Sequence, residues 1–150
     1  MGSLTFSFMG IERFLKDCRS IFLDSMIFIY FFEGREERQR DLTYLFDSIE
    51  QGKMNASTSS LTISEVLVKP YKTQALSLID EYLRFFNEFP HLRVLPLSQE
   101  IAIETARIRA QSNLKTPDAI QLASALIDRS DGFITSDKQL VLSGLNFFYL

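Results

Sequence analysis

Residues 21–32, IFLDSMIFIYFF, form an apolar run that a single acid, Asp24, interrupts. The first three residues predict a short buried strand that ends at Asp24, and residues 26–32 are apolar on every side. The run is shorter than the roughly 20 residues that a membrane-spanning helix needs. It therefore predicts a buried strand and a buried segment joined by a carboxylate.

Strand-like and helix-like segments alternate through the rest of the chain. Leu42, Leu45, Phe46 and Ile49 recur at the spacing of one helix face, and Gly52 follows as a C-terminal stop. By the same criteria, strands are predicted over residues 54–57, 92–97, 132–135 and 146–150. Helices are predicted over residues 11–18, 35–51, 62–69 (ended by Pro70), 73–86, 99–112 (capped by Ser98) and 137–142, with a further helix opened by Thr116-Pro117-Asp118.

Short apolar strands that alternate with helices predict an α/β domain with a mostly parallel sheet covered by helices on both faces. No repeat or Pro/Gly linker divides the chain, so one domain is expected over residues 21–150. Residues 1–20 are interpreted as an N-terminal extension with a short helix, and Met9 offers a second start that leaves the origin of residues 1–8 open. In such a sheet, ligands collect outside the carboxyl ends of the strands.

Composition excludes several kinds of active site. The 150 residues include one cysteine, Cys18, and one histidine, His91, which rules out an internal disulfide, a multi-cysteine zinc site and a multi-histidine metal site. The formal net charge of −3 argues against an open, nonspecific grip on nucleic acid through a basic face. The N-terminal residues do not show the basic region followed by an uninterrupted apolar run that is typical of a signal peptide. We therefore expect a cytoplasmic protein without a membrane partner.

Four acidic residues lie where predicted strands end or where the following helices begin: Asp24, Glu65, Asp118 and Asp137. Each also has a purely structural interpretation. Asp24 is a good helix N-cap, and Asp118 complements a helix dipole. The segments around the other two match capping boxes, Thr62-x-x-Glu65 and Ser136-x-x-Gln139.

Considered together, the four acids indicate a metal site. Carboxylates that converge without matching cations repel one another, and oxygen ligands select hard ions, here Mg²⁺ or Mn²⁺. An ion held in this way can bind phosphate oxygens and activate a water for in-line attack on phosphorus. The acids therefore predict phosphoryl chemistry, with Asp24 and Asp118 holding the principal ion.

The segments that carry these acids resemble the four acidic motifs of PIN-domain proteins, in particular VapC-type toxin ribonucleases. The resemblance runs from about Ile21 to the C-terminus. Met26 departs from it, because a small or amide side chain is common at that position, and the helix over residues 11–18 is additional. The matching segments are Ile21-Phe22-Leu23-Asp24-Ser25, Thr62-Ile63-Ser64-Glu65-Val66, Thr116-Pro117-Asp118-Ala119-Ile120-Gln121-Leu122-Ala123 and Phe133-Ile134-Thr135-Ser136-Asp137.

This resemblance implies a Rossmann-like, PIN-type three-layer fold and Mg²⁺- or Mn²⁺-dependent cleavage of RNA. It assigns the metal-binding acids to Asp24, Glu65, Asp118 and Asp137. It also implies a homodimer and a separate antitoxin protein that blocks the site, so that this chain would be the toxin of a toxin–antitoxin pair.

Other polar residues are further candidates for the same site. Ser25, Thr135 and Ser136 are placed to hydrogen bond to a ligating carboxylate or a phosphate, or are simply polar residues at strand ends. Arg107 and Arg109, which precede Asp118, are candidates for phosphate contacts. The alternative to an enzyme is a non-catalytic PIN-like module that binds protein or RNA, and the complete set of acids argues against it.

Overall fold

The computed structural model describes residues 10–34 and 36–150, so Arg35 and the segment before Gly10, including Met9 and residues 1–8, lie outside the described residues. The strands are β1 (Ser20–Leu23), β2 (Asn55–Ser59), β3 (Leu92–Leu95), β4 (Gly132–Thr135) and β5 (Asn146–Tyr149). The helices are α1 (Ile11–Lys16), α2 (Ser25–Glu33), α3 (Glu36–Glu50), α4 (Ser60–Lys72), α5 (Leu76–Glu88), α6 (Gln99–Ala110) and α7 (Thr116–Asp128). The predicted three-layer α/β fold is confirmed.

The five strands form one parallel sheet in the order β3-β2-β1-β4-β5. The chain builds the sheet outward from β1 to β3 and then crosses back to place β4 on the other side of β1. The strand order therefore reverses between β1 and β4. In open α/β sheets, the crevice at the carboxyl ends of the strands beside such a reversal is where ligands bind.

Strand β1 supplies side chains to both faces of the sheet. Ile21 and Leu23 lie in a hydrophobic cluster with residues of α1 to α5, whereas Phe22 lies in a second cluster with residues of α6 and α7. Phe22 also stacks on Phe133 of β4, with ring centroids 5.3 Å apart. Because full burial of each such side chain contributes about 1.5–3 kcal/mol, β1 is fixed at the centre of the molecule.

Helix α1 packs on the same core. Ile11 and Leu15 are buried in the first cluster, and Phe14 lies against Gly132 at the start of β4. A Cβ atom at Gly132 would lie 2.7 Å from Phe14 Cζ, so this close approach requires glycine. None of the helices within the described residues has the length and hydropathy needed to cross a bilayer.

Two predicted helix boundaries are wrong. Helix α4 continues past Pro70 to Lys72, so the buried Pro70 lies in its last turn, where it removes one backbone hydrogen bond without ending the helix. Helix α5 begins at Leu76 rather than at residue 73, because Gln74 adopts a positive φ of 54°.

Three predictions made from helix-start patterns are also wrong. The N-cap of α4 is Ser59, whose Oγ accepts a hydrogen bond from the Leu61 nitrogen at 3.1 Å, so Thr62-x-x-Glu65 lies inside the helix. Residues 137–142 form a turn, not a helix. The carboxylate of Asp137, rather than Ser136, accepts from the Gln139 nitrogen at 2.9 Å, so no capping box forms there.

Candidate active site

The four predicted acids lie at one edge of the sheet. Asp24 follows β1 and Asp137 follows β4, the two strands beside the reversal of strand order. Asp118 is the third residue of α7, and Glu65 is the sixth residue of α4, which follows β2. Asp118 and Asp137 both raise the pKa of Asp24, and Asp24 and Asp118 both raise the pKa of Glu65, so the four carboxyls interact electrostatically.

Asp24 is buried at the centre of this group. Its Oδ1 accepts from the Ser25 nitrogen and its Oδ2 accepts from the Thr135 hydroxyl, each at 2.7 Å. Burial raises the pKa of Asp24, and these two hydrogen bonds oppose that rise. The predicted N-cap role of Asp24 is confirmed, and the same carboxylate faces the other acids, so the structural and functional interpretations are compatible.

Glu65 is half-buried and contacts a polar side chain from α7. Gln121 Nε2 donates a hydrogen bond to Glu65 Oε1 at 3.3 Å. Burial, followed by repulsion from Asp24, raises the pKa of Glu65, and hydrogen bonds from Gln121 and Ser25 oppose the rise. The Ser25 side chain therefore lies beside two of the acids.

Asp118 and Asp137 are the more accessible members of the group. Burial and the charge of Asp137 raise the pKa of Asp118, while the ammonium group of Lys115 at the N-cap of α7 lowers it. Asp137 is exposed, and its backbone nitrogen donates to the Thr135 hydroxyl at 3.1 Å. Lys115 was not among the predicted site residues, although a lysine three residues before an acid at a helix start is a recognisable signal.

A polar network behind Glu65 was also missed. Thr58, Thr62 and Gln121 are buried and hydrogen bond to one another. The available signal was Gln121 itself, a polar residue within the apolar face of α7.

The remaining candidate residues divide into two groups. Ser25 and Thr135 contact the Asp24 carboxylate as predicted, with Ser25 Oγ 3.5 Å from Asp24 Oδ1. Arg107 pairs instead with Glu104 at 2.6 Å, and Arg109 Nε donates to the Leu114 carbonyl at 3.5 Å. Ser136 is half-buried at the end of β4, and within the described part of the chain it has no hydrogen bond to any of the four acids.

The residues fit a hard divalent cation by their chemistry. Within residues 10–34 and 36–150, no three acidic, histidine or cysteine side chains lie close enough together to hold a metal ion in their present rotamers. The donors are nevertheless all carboxylate oxygens, and burial and mutual repulsion raise the pKa of Asp24, Glu65 and Asp118. Asp24 is buried and Glu65 is hydrogen bonded to Gln121, whereas Asp118 and Asp137 are the more accessible acids, so a change of rotamer at these two acids would bring further carboxylate oxygens toward Asp24 and Glu65.

The fold and the four acids define a parallel α/β domain with an acidic site where the strand order reverses. A model of the PIN domain family matches residues 21–142, which is most of the chain. The chain therefore belongs to the PIN domain family, as its motifs predict.

Solved structures show the same fold. The chain is similar to a chain of a toxin–antitoxin complex from Klebsiella pneumoniae, with 24% identity, a TM-score of 0.65 and coverage of 85% of this chain and 95% of that one. It is similar to a chain of VapBC2 from Rickettsia felis bound to a promoter DNA fragment, with 14% identity, a TM-score of 0.64 and coverage of 87% and 98%. It is also similar to VapC20 from Mycobacterium tuberculosis, a toxin that cleaves the sarcin–ricin loop, with 12% identity, a TM-score of 0.61 and coverage of 75% and 86%. No curated protein matches the chain.

Proposed function

We propose that the chain is a Mg²⁺- or Mn²⁺-dependent endoribonuclease and the toxin of a toxin–antitoxin pair. The observation that carries this proposal is the buried Asp24 carboxylate, fixed by two hydrogen bonds and facing three further acids beside the strand reversal. Burial of an uncompensated carboxylate is costly, so a site of this kind is built for a cation. Membership of the PIN domain family and the likeness to VapC20 support RNA as the substrate.

Each acid has a distinct part in this proposal. Asp24 and Asp118 would hold the principal ion, and Glu65 and Asp137 would complete its site or hold a second ion. The Ser25 nitrogen and Thr135 hydroxyl keep Asp24 in one orientation, and the N-terminus of α7 favours the ionised form of Asp118. A bound divalent ion supplies positive charge at the reacting phosphate and lowers the pKa of the attacking water.

The basic residues around the start of α7 are the proposed phosphate contacts. Lys115 is exposed and interacts with Asp118, so a backbone phosphate that reaches this acid also meets an ammonium group. Arg109 contacts the loop that leads to α7, and Arg107 lies in the same last turn of α6. Both arginines remain candidates for phosphate contacts. Ser136 continues as a candidate hydrogen-bond donor to phosphate at the end of β4.

A cognate antitoxin and self-association are part of the same proposal. The structures of similar fold from K. pneumoniae and R. felis are toxin–antitoxin complexes. We expect a small protein encoded beside this gene to copurify with the chain when the two are co-expressed, and to suppress RNA cleavage. Sedimentation equilibrium of the isolated chain would test the homodimer.

RNA cleavage by acid-to-amide variants tests the proposal. End-labelled single-stranded and structured RNAs are incubated with the protein, with and without Mn²⁺. We expect Mn²⁺-dependent cleavage by the wild type, a loss of at least about 100-fold for Asp24→Asn and Asp118→Asn, and wild-type rates for Asp80→Asn, an exposed control on α5. Unchanged cleavage by Asp24→Asn and Asp118→Asn would reject the assignment, and RNA binding without cleavage would support a non-catalytic module.

A further inference from the structure

The side chains behind Glu65 form a continuous hydrogen-bond chain that begins at the end of β1. Thr58 Oγ1 lies 2.8 Å from the Leu23 carbonyl oxygen, and the Thr58 and Thr62 hydroxyl oxygens are 2.7 Å apart. Gln121 Nε2 lies 3.0 Å from Thr62 Oγ1 and 3.3 Å from Glu65 Oε1. This series of hydrogen bonds thus connects Leu23, the residue before Asp24, to the carboxylate of Glu65.

The number of available protons determines which group donates in each of these hydrogen bonds. The Leu23 carbonyl can only accept, so Thr58 donates its single hydroxyl proton to it. The bond between the two hydroxyls must then use the proton of Thr62, which leaves Thr62 Oγ1 as an acceptor for the Gln121 amide. Both protons of Gln121 Nε2 are therefore directed, one to Thr62 and one to Glu65.

The orientation of the Gln121 amide also depends on Glu65. Gln121 is 1% exposed, and its Oε1 has no hydrogen-bond partner among the described residues. Exchange of the positions of Oε1 and Nε2 of Gln121 would place Oε1 against the carboxylate of Glu65. It would also leave one contact in the series of hydrogen bonds without a proton. The orientation that leaves Oε1 unpaired is thus the one that supplies a donor to an ionised Glu65.

We propose that Gln121 is a positioning residue for Glu65, and that it holds this carboxylate in the orientation from which it binds the metal ion. The inference rests on the proposed function, because it takes Glu65 as a metal ligand. Metal ligands are commonly oriented by a second layer of hydrogen bonds, and loss of such a partner weakens metal binding by about 10–100-fold. Gln121 acts through Glu65 and does not touch the metal or the RNA.

Mn²⁺ calorimetry of single and double variants tests this role. Gln121→Met keeps the volume of the side chain and removes both donors. We expect it to weaken Mn²⁺ binding about 10–100-fold in the wild-type background and to have no further effect in a Glu65→Gln background. A general structural effect of Gln121→Met would weaken binding equally in both backgrounds, and that result would overturn the proposal.

A second pair of variants covers the case in which Gln121→Met does not fold, as judged by circular dichroism. Thr62→Val removes the acceptor that fixes the Gln121 amide, and we expect Mn²⁺ binding to weaken several-fold. Thr105→Val is the matched control, because Thr105 is also a buried helical threonine and donates within α6 to the Ile101 carbonyl. Equal affinities for the two valine variants would overturn the proposal.

The same experiments separate the two proposals from each other. Wild-type protein that cleaves RNA and binds Mn²⁺, with unchanged binding by the Gln121→Met variant, would overturn the role of Gln121 and leave the ribonuclease intact. Wild-type protein that neither binds Mn²⁺ nor cleaves RNA would overturn both.

Discussion

Thr135 donates its hydroxyl proton to Asp24 Oδ2 at 2.7 Å, across 111 residues of sequence. The hydroxyl oxygen of Thr135, Oγ1, accepts in turn from the Asp137 nitrogen at 3.1 Å. One buried hydroxyl therefore connects the acid that follows β1 to the acid that follows β4. Thr135 fixes the spacing of the two acids on either side of the strand reversal.

Removal of this hydroxyl should destabilise the fold and weaken Mn²⁺ binding at the proposed metal site. Thr135→Val has nearly the same shape but leaves the buried Asp24 carboxylate with one donor fewer. We expect the free energy of unfolding to fall by about 1–3 kcal/mol and Mn²⁺ affinity to fall about 10–100-fold, measured by urea denaturation and calorimetry. Thr135→Ser, which keeps a hydroxyl, is the control, and an equal loss in both variants would contradict the role of the hydrogen bond.

Neutralisation of Glu65 should stabilise the metal-free protein. Glu65→Gln removes a charge that faces Asp24 and keeps an oxygen that accepts from Gln121. Because the group is partly solvated, we expect a gain of roughly 0.5–1 kcal/mol, or about 1–3 °C in Tm at low salt. Glu81→Gln on the exposed side of α5 should leave Tm unchanged. A lower Tm for Glu65→Gln at low salt would show that Glu65 experiences no net repulsion.

The metal-free protein should lose stability through this site as the pH rises. Asp24, Glu65 and Asp118 have raised pKa values, so the folded protein retains protons that the unfolded chain has released. The penalty is absent below the ordinary pKa values of 3.8 and 4.5, and it is complete once the pH exceeds the raised values. The difference in unfolding free energy between Glu65→Gln and the wild type, measured by denaturation, should grow across this interval. A difference that is constant with pH would contradict the raised pKa of Glu65.

Metal binding should release protons over the same pH interval. A carboxyl that binds a cation must be ionised, so the raised pKa values make the Mn²⁺ affinity increase with pH. Calorimetry in two buffers of different ionisation enthalpy measures the number of protons released for each ion bound. We expect a fractional release that declines as the pH rises above the raised pKa values, and equal heats in both buffers within the interval would oppose this prediction.

Cys18 should be unreactive in the folded protein. Burial, with the charges of Asp131 and Asp17, raises the pKa of the thiol to about 11, so about one thiol in a thousand is ionised at pH 8. We expect iodoacetamide to alkylate the native protein at least about 100-fold more slowly than the urea-unfolded protein. Similar rates in the two states would show that Cys18 is accessible.

The sequence was sufficient to predict the elements whose patterns are local. Residues 21–23 alternate between the two faces of the sheet and are fully buried, as an apolar run that ends in an acid suggests. Asp24 was predicted both as an N-cap and as a site residue, and the helix capped by Ser98 was predicted from the same local rule, with Ser98 Oγ accepting from the Ile101 nitrogen. Parallel topology followed from the alternation of these elements.

Features that depend on contacts between distant segments were not predictable in this way. The donor role of Gln121 requires α7 to lie against α4, and nothing in the neighbouring sequence indicates which helix it meets. The start of α4 illustrates a local failure, because Ser59 and Thr62 are both suitable caps and the end of β2 decides between them. Pro70 was misjudged because a proline inside a helix removes one backbone hydrogen bond but does not by itself end the helix.

The place of β4 in the sheet also has a consequence for protein synthesis. A nascent chain that has been translated as far as α7 already carries Asp24, Glu65 and Asp118, but β1 still lacks its neighbour on one side. Thr135, which hydrogen bonds to Asp24, and Asp137 are translated only with β4, so this hydrogen bond cannot form until β4 has left the ribosome. Under the proposed ribonuclease function, this order of translation would delay assembly of the acidic site until β4 has been made.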